Sequence, residues 1–499
     1  MTDHLDRETA RARADLLPGP TYRRDEITPG IAHIGVGGFH RAHQAMYVDR
    51  VLDQDPDWGI VGIGLRAEDL GTLDALEAQS GAYTLTIVDP AEHEASRVIG
   101  SIVETRHRDR DGAATLIETL AQPSIRIVTL TITEGAYGVD GDTGEYAPRD
   151  EATLADLAGA EQPRSAMGLI VDALASRYRK GIPPFAVVSC DNIPHNGSVA
   201  RAALLGMAQS RIPDLESWIS HHVSFPSSMV DRITPVPTPA VQKAIAEKFD
   251  VDDACAVRSE SFVQWVLEDT FPEGRPALES VGVMMVEDVT PYELMKLRLL
   301  NASHQVMSYP ALLMGHRWVH DACRDSQVRS LIEQWMLAAT STLAPVPGVD
   351  LVQYREELIA RFSSAAVKDT LERQVAFSSD RIATFVKPAL DDMGVADQQR
   401  VGALVLALWA HWVKGQLADA DSEWSDPRLQ ELQAAVASED VNSAAILDLQ
   451  EIVGSLGQHP EVRQAYLQVR AELEKTPVAD VIEQALSVVP KNLVSGAPQ

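Results

Sequence analysis

Up to about residue 289 the chain alternates short apolar, β-branched runs with helix-length segments, and beyond it every periodic segment is helical. That change of texture constrains the fold more than any other feature. The runs "GIAHIGVGGF", "WGIVGIGLR", "AYTLTIVD", "IRIVTLTIT" and "PFAVVSCDN" read as five strands, and segments such as "AMGLIVDALASRYRKG" lie between several of them. This is the βαβ rhythm of a mostly parallel sheet with helices on its faces. From Thr290 on, "DSQVRSLIEQWMLAAT", "QRVGALVLALWAHWVKGQ" and "EVRQAYLQVRAELEK" keep a helical period and none alternates as a strand does. With 499 residues, more than one core usually organises, two domains are expected. They are an α/β domain over 1–289 and an all-helical domain over 290–499. The stretch Asp231 to Pro239, with three prolines, reads as an irregular connection near their junction.

A formal net charge of −29 repels phosphate backbones and anionic headgroups, so neither nucleic acid nor membrane is an expected partner. Three separated cysteines, Cys190, Cys255 and Cys323, suit a reducing compartment and offer no thiolate metal site. The first twenty residues lack the apolar core of a signal peptide. The run Val401 to Val413 is short for a bilayer and contains His411, so it reads as a buried helix. A cytoplasmic protein is expected, as a monomer or small homo-oligomer.

Gly35, Gly37 and Gly38 follow the first strand directly. In a Rossmann-type dinucleotide-binding domain the first such glycine permits the tight turn and the second lets a pyrophosphate approach the backbone. His40 stands where the third glycine of GxGxxG belongs, so the motif alone is weak. The end of the second strand, "GLRAED", adds Glu68 and Asp69, with Arg66 beside them. Carboxylates there bind a ribose 2′-hydroxyl and repel a 2′-phosphate, which favours NAD. An acidic N-cap for the helix "LGTLDALEAQ" is the alternative reading.

Lysine is scarce, nine against 34 arginines, yet one lies inside the leucine-rich segment "PYELMKLRLLNASH". At about 100° per residue, and with Lys296 at 0°, Glu293 falls near 60°, His304 near 80° and Asn301 near 140°. Arg298, at about 200°, points away. A lysine flanked by an amide and an imidazole suits an alcohol/carbonyl centre: neutral lysine takes a hydroxyl proton and the amide steadies an alkoxide. A salt bridge from Lys296 to Glu293 would be the structural alternative.

Lys-x4-Asn-x2-His at Lys296, Asn301 and His304, together with "VSFPSSMVDRITP", "GVGGFHRAH", "TLTITEGAY" and "SCDNIPHNG", resembles the polyol-specific long-chain dehydrogenase/reductase (mannitol dehydrogenase) family from about residue 30 to about 415. The resemblance implies NAD-linked oxidation of a polyol to a ketose, most of all D-mannitol to D-fructose, in a cleft between the domains. D-arabinitol or a ketouronate such as fructuronate are the alternative substrates. It implies that Lys296 is the general acid/base, that Asn192 and Asn301 hold the reacting oxygen, and that Glu293 relays protons. His304 and Asp231 would bind substrate hydroxyls, with Arg373 and Arg381 at two further substrate positions. Val36, Phe39 and Thr133 join Gly35, Gly37, Gly38, Arg66, Glu68 and Asp69 around the cofactor. Arg381 departs from the family's lysine, and "FSS" from its glycine-containing turn.

Three rivals need other features. Tyr292 and Lys296 spell the YxxxK of short-chain dehydrogenases, but their TGxxxGxG turn is absent. His40 with His43 and His316 with His320 offer imidazole pairs without a further ligand at zinc spacing, so no metal is expected. A non-catalytic NAD-sensing protein would be expected to lack Lys296 or the asparagines.

Overall fold

The computed structural model describes residues 3–487 except 7, 8, 10–12, 14, 141, 142, 367 and 440–443. Part of the opening twenty residues and the end of the helical domain, 488–499, therefore lie outside the described residues. The chain divides into two compact units, Met1–Thr290 and Pro291–Gln499.

In the first unit five parallel strands make the main sheet: β1 (Pro29–Ile34), β2 (Gly59–Gly64), β3 (Ile102–His107), β4 (Ile127–Leu130) and β5 (Ala186–Ser189), in the order β3-β2-β1-β4-β5. The four inner and far strands are nearly continuous apolar runs because helices cover both faces. Ile31–Ile34 pairs in register with Ile127–Leu130, and Ile127–Leu130 with Ala186–Ser189. The loops after β1, β4 and β5 consequently leave from one edge of the sheet.

One of the five runs read as strands, "AYTLTIVD", is a strand at Tyr83–Val88 but stands outside this sheet, pairing with Glu94–Ile99 and Val257–Glu260. The main sheet takes β3 instead. That strand has a single neighbour, and its sequence "IVETRH" carries four polar residues in succession, Glu104 to His107, in place of the apolar run of the others. The proline-rich stretch after Asp231 lies within the first unit, ahead of the helix Pro239–Phe249, and not at the boundary. A further strand, β6 (Ser228–Asp231), pairs antiparallel with Gln264–Glu268.

Apart from an isolated bridge between Trp318 and Thr370, the described residues of the second unit form no strand. Its helices gather around Ala403–Ala418, where Leu404, Leu406, Leu408 and Trp409 are fully buried. The whole helical run, Val395–Ala418, is 24 residues, longer than the apolar run suggests and long enough to cross a bilayer. Most of it is buried among the other helices, as a core helix is.

Candidate active site

At the end of β1 the chain turns at Gly35 with φ +101°, where a Cβ would lie 2.1 Å from the Thr131 carbonyl oxygen. Only glycine fits. The Gly35 carbonyl is held in turn, accepting from the Thr131 hydroxyl at 2.6 Å and from His33 Nε2 at 3.1 Å. A carbonyl only accepts, so His33 carries its proton on Nε2, and its Nδ1 receives the Thr129 hydroxyl at 2.7 Å. Burial pushes the His33 pKa down to about 3. Gly37 is the opposite case: a Cβ there would meet nothing nearer than the Gly35 oxygen at 4.0 Å. The missing side chain leaves open space beside the backbone, which fits a pyrophosphate. His40, in the third-glycine position, is buried and stacks on His33 at 3.4 Å, so two imidazoles pack where a glycine would bring helix and strand together. Val36 is buried below the turn, and Phe39 stacks on His43 at 5.0 Å.

After β2, Glu68 pairs with Arg66 on the surface. Asp69 closes its own turn, its Oδ2 accepting from the backbone N–H groups of Arg66 at 3.0 Å and Leu65 at 3.2 Å. Asp69 precedes the helix Leu70–Ala78 but gives its N–H groups no side-chain bond, so it is not the acidic N-cap of that helix; its carboxylate fastens the preceding turn instead. Two short helices, Gly38–Ala42 and Gln44–Val51, occupy the long interval between Gly35 and these carboxylates.

Beyond β4 and β5 come Thr133 and Asn192, and Asp231 ends β6, nearly buried. The parallel strands bring Gly35, Arg66, Glu68, Asp69, Thr133 and Asn192 to the carboxyl edge of one sheet, where open α/β sheets bind ligands. His33, Asp191 and Asn196, which shape these loops, are absent from the sequence reading. The signal available for His33 was a polar residue inside an otherwise apolar strand.

In the second unit the helix that begins at Thr290 is not uniform. Lys296–Asn301 is π-helical, and the Ala302 N–H bonds to Leu297 O, five residues back. Such a bulge acts as one inserted residue, taking Asn301 from about 140° to about 40° and His304 from about 80° to about −20° relative to Lys296. The uniform wheel therefore spread these groups too widely, and the bulge gathers them on one face. Glu293, Lys296 and His304 are buried, at 6%, 7% and 8% exposure. Asn301 Oδ1 and His304 Nε2 are buried with no hydrogen-bond partner in the protein, unusual for polar atoms unless something else fills the space. Arg298 points away as expected, donating to Thr342 O at 2.9 Å and to Asp392 at 2.5 Å. Tyr292 donates its hydroxyl to Pro347 O at 2.8 Å, which occupies the proton a short-chain dehydrogenase would use.

His304 packs against Phe362 with ring centroids 4.6 Å apart, and burial pushes its pKa down to about 4, partly opposed by Asp369. His33 and His304 are therefore neutral in the fold, and each gains a proton on unfolding below the free value of ~6.5. Stability should rise with pH from about 4 to about 6.5, by up to ~1.4 kcal/mol per pH unit for each group. Urea unfolding of His304→Asn across that range should show a shallower pH slope. An unchanged slope would mean that His304 is charged in the fold.

Arg373 forms a bidentate pair with Asp369, at 2.7 and 2.6 Å, and Arg381 donates through Nε to Ala376 O at 2.8 Å. Between them Phe377 sits at φ +55°, the left-handed conformation that a glycine-containing turn supplies without strain. Ser378 and Ser379 secure it through Asp426, to which Ser378 Oγ and Ser379 N donate at 2.9 Å each. The serines of "FSS" thus hold the turn that glycine would otherwise ease. Among the described residues no three His, Cys, Asp or Glu side chains gather as a metal site.

A sheet edge that fits a dinucleotide, with a helical unit carrying a buried lysine and an unpartnered amide oxygen, is the plan of a nicotinamide-linked oxidoreductase. Residues 29–280 match the mannitol dehydrogenase Rossmann domain, and residues 288–474 the mannitol dehydrogenase C-terminal domain. The chain belongs to the mannitol dehydrogenase family. It is 39% identical to a mannitol 2-dehydrogenase of Cereibacter sphaeroides over 88% of this chain and 92% of that one. It is 38% identical to a polyol:NADP oxidoreductase of Gluconobacter oxydans, over 89% and 92%. Among solved structures it resembles Pseudomonas fluorescens mannitol 2-dehydrogenase, determined with NAD and D-mannitol, with a TM-score of 0.84 and 40% identity, covering 97% of this chain and all of the other.

Proposed function

We propose that the protein is an NAD-dependent polyol dehydrogenase that interconverts D-mannitol and D-fructose, with Lys296 as general acid/base. The observation that carries this reading is the π-helical turn that aligns buried Lys296 with the unpartnered Asn301 amide oxygen. Bound NAD would supply the hydride acceptor. Neutral Lys296 takes the hydroxyl proton as the carbon–hydrogen bond breaks, and its ammonium returns that proton when the ketone is reduced. Amide groups of Asn192 and Asn301 hold the reacting oxygen, and an amide can turn either end to it. Glu293 passes protons between Lys296 and solvent. His304, neutral, and Asp231 bind neighbouring hydroxyls, and Arg373 and Arg381 meet the far end of the chain.

The mannitol complex of the Pseudomonas fluorescens relative supports the substrate. The Asp369 carboxylate already balances the Arg373 charge, which favours a neutral polyol over a ketouronate at that position. D-Arabinitol remains the alternative polyol. Initial rates with a panel of polyols and NAD, and of ketoses and ketouronates with NADH, test the assignment. Fastest turnover of fructuronate would replace it, and NAD binding without turnover of any substrate would favour the sensor reading. Chelator treatment should leave the rate intact; loss restored by zinc would overturn a lysine mechanism. We place the enzyme in the cytoplasm, as a monomer or small homo-oligomer acting on small molecules alone.

NAD should outperform NADP, although one relative is named for NADP. Glu68 is the cleaner position to test, because Asp69 also caps its turn. Glu68→Gln would release Arg66 toward a 2′-phosphate and narrow the NAD preference by about tenfold. Equal kcat/KM for both cofactors in the unmodified protein would contradict the assignment.

A further inference from the structure

Thr133 has φ +70° and ψ 155°, a backbone region that is essentially reserved for glycine. Such a residue persists only where its surroundings over-determine it. Here the surroundings are one carboxylate. Asp191 Oδ2 accepts from Ile132 N and Asp191 Oδ1 from Thr133 N, both at 3.0 Å, so two consecutive amides in the loop after β4 are fastened to the second residue after β5. The Tyr137 hydroxyl donates to Asp191 Oδ2 at 2.7 Å and lies 2.7 Å from Ser189 Oγ, which bonds to the Asp191 N–H at 3.3 Å. Burial raises the Asp191 pKa, and these donors oppose the rise. The same loop is tied on its other side. Asn196 donates to Ser228 O at 2.6 Å and accepts from Ser228 N at 3.0 Å, copying a strand pair with β6. Asn192 thus leaves a loop anchored to β4 at one end and to β6 at the other.

We propose that Asp191 is a positioning residue: it clamps Thr133 in its strained conformation and so sets the cofactor contact at Thr133 against the reacting-oxygen contact at Asn192. The proposal deepens the dehydrogenase reading above and rests on it for the roles of those two residues. An asparagine at position 191 can accept from one of the two amides but turns its NH₂ toward the other. Thr133 then relaxes, and the two contacts lose their spacing. The nucleotide turn after β1 and the carboxylates after β2 are untouched, so most of the cofactor affinity is kept, less the single contact at Thr133, while alignment is lost.

The test is a double-mutant cycle on the full chain: unmodified protein, Asp191→Asn, Thr133→Gly and the double variant. The readouts are kcat, KM, the NADH dissociation constant and Tm. Asp191→Asn should lower kcat by roughly 10–100-fold, the scale of a misplacement near 1 Å, and change NADH affinity less than about threefold. Glycine adopts the Thr133 conformation without a clamp, so the kcat loss and the fall in Tm caused by Asp191→Asn should both be smaller in the Thr133→Gly background. Equal or larger losses in that background would overturn the clamp. Near-normal kcat in Asp191→Asn would overturn the positioning role. If Asp191→Asn does not fold, Tyr137→Phe withdraws one donor from the carboxylate and is carried through the same cycle. The Tm coupling reads the clamp even if the unmodified protein oxidises no polyol, an outcome that would sink the dehydrogenase reading alone.

Discussion

Lys296→Ala is expected to slow polyol oxidation by ~10²–10⁴-fold, the usual cost of losing a positioned acid/base group. The lysine is buried on a face with Glu293 and His304, so alanine also leaves a space that water or a small amine can enter. Primary amines added to the variant should restore part of the rate, and larger amines should restore less. NADH binding should change little, because the cofactor anchors lie on the first unit's sheet edge. A variant with near-normal kcat would make Lys296 a structural partner of Glu293, the alternative the sequence left open.

Gly35→Ala should have the next largest effect, and it acts through the backbone. The residue has φ +101°, and an added Cβ would stand 2.1 Å from the Thr131 carbonyl oxygen, far inside contact distance. Either the turn opens or β4 withdraws from β1. A left-handed conformation with a side chain costs roughly 1–3 kcal/mol before the clash is counted, so a total loss of at least ~3 kcal/mol is expected. The opened turn also moves Gly37, whose bare backbone faces open space, and NADH affinity should fall at least about tenfold. Denaturant unfolding and NADH titration of the variant check both. Gly37→Ala offers the contrast, with little loss of stability and a similar loss of NADH affinity. Unaltered stability in Gly35→Ala would mean that the turn is looser than its geometry.

Much of this was readable from sequence where one residue type has one physical job. Gly35 and Gly37 announce a turn and an approach, continuous apolar runs announce covered strands, and the loss of alternation after residue 289 announces helices. Three things were not readable, each for a physical reason. The edge strand Ile102–His107 carries four consecutive polar residues, Glu104 to His107, and these hide it among the apolar runs. The π-helical turn at Lys296–Asn301 depends on which carbonyl each N–H reaches, which residue periodicity does not encode. Asp191 was hidden for a third reason: its importance lies in a strained Thr133 in the loop after another strand, and strain has no sequence signature unless glycine marks it.

The proton transfer at the centre of this account is tested most directly by the pH dependence of kcat/KM in both directions on the unmodified protein. Oxidation needs neutral lysine and reduction needs its ammonium. Rates should therefore rise with pH for D-mannitol and fall with pH for D-fructose, through one and the same ionisation. Lys296→Ala should lose that ionisation in both directions. Profiles that are flat, or that move in the same sense for both reactions, would contradict a lysine acid/base.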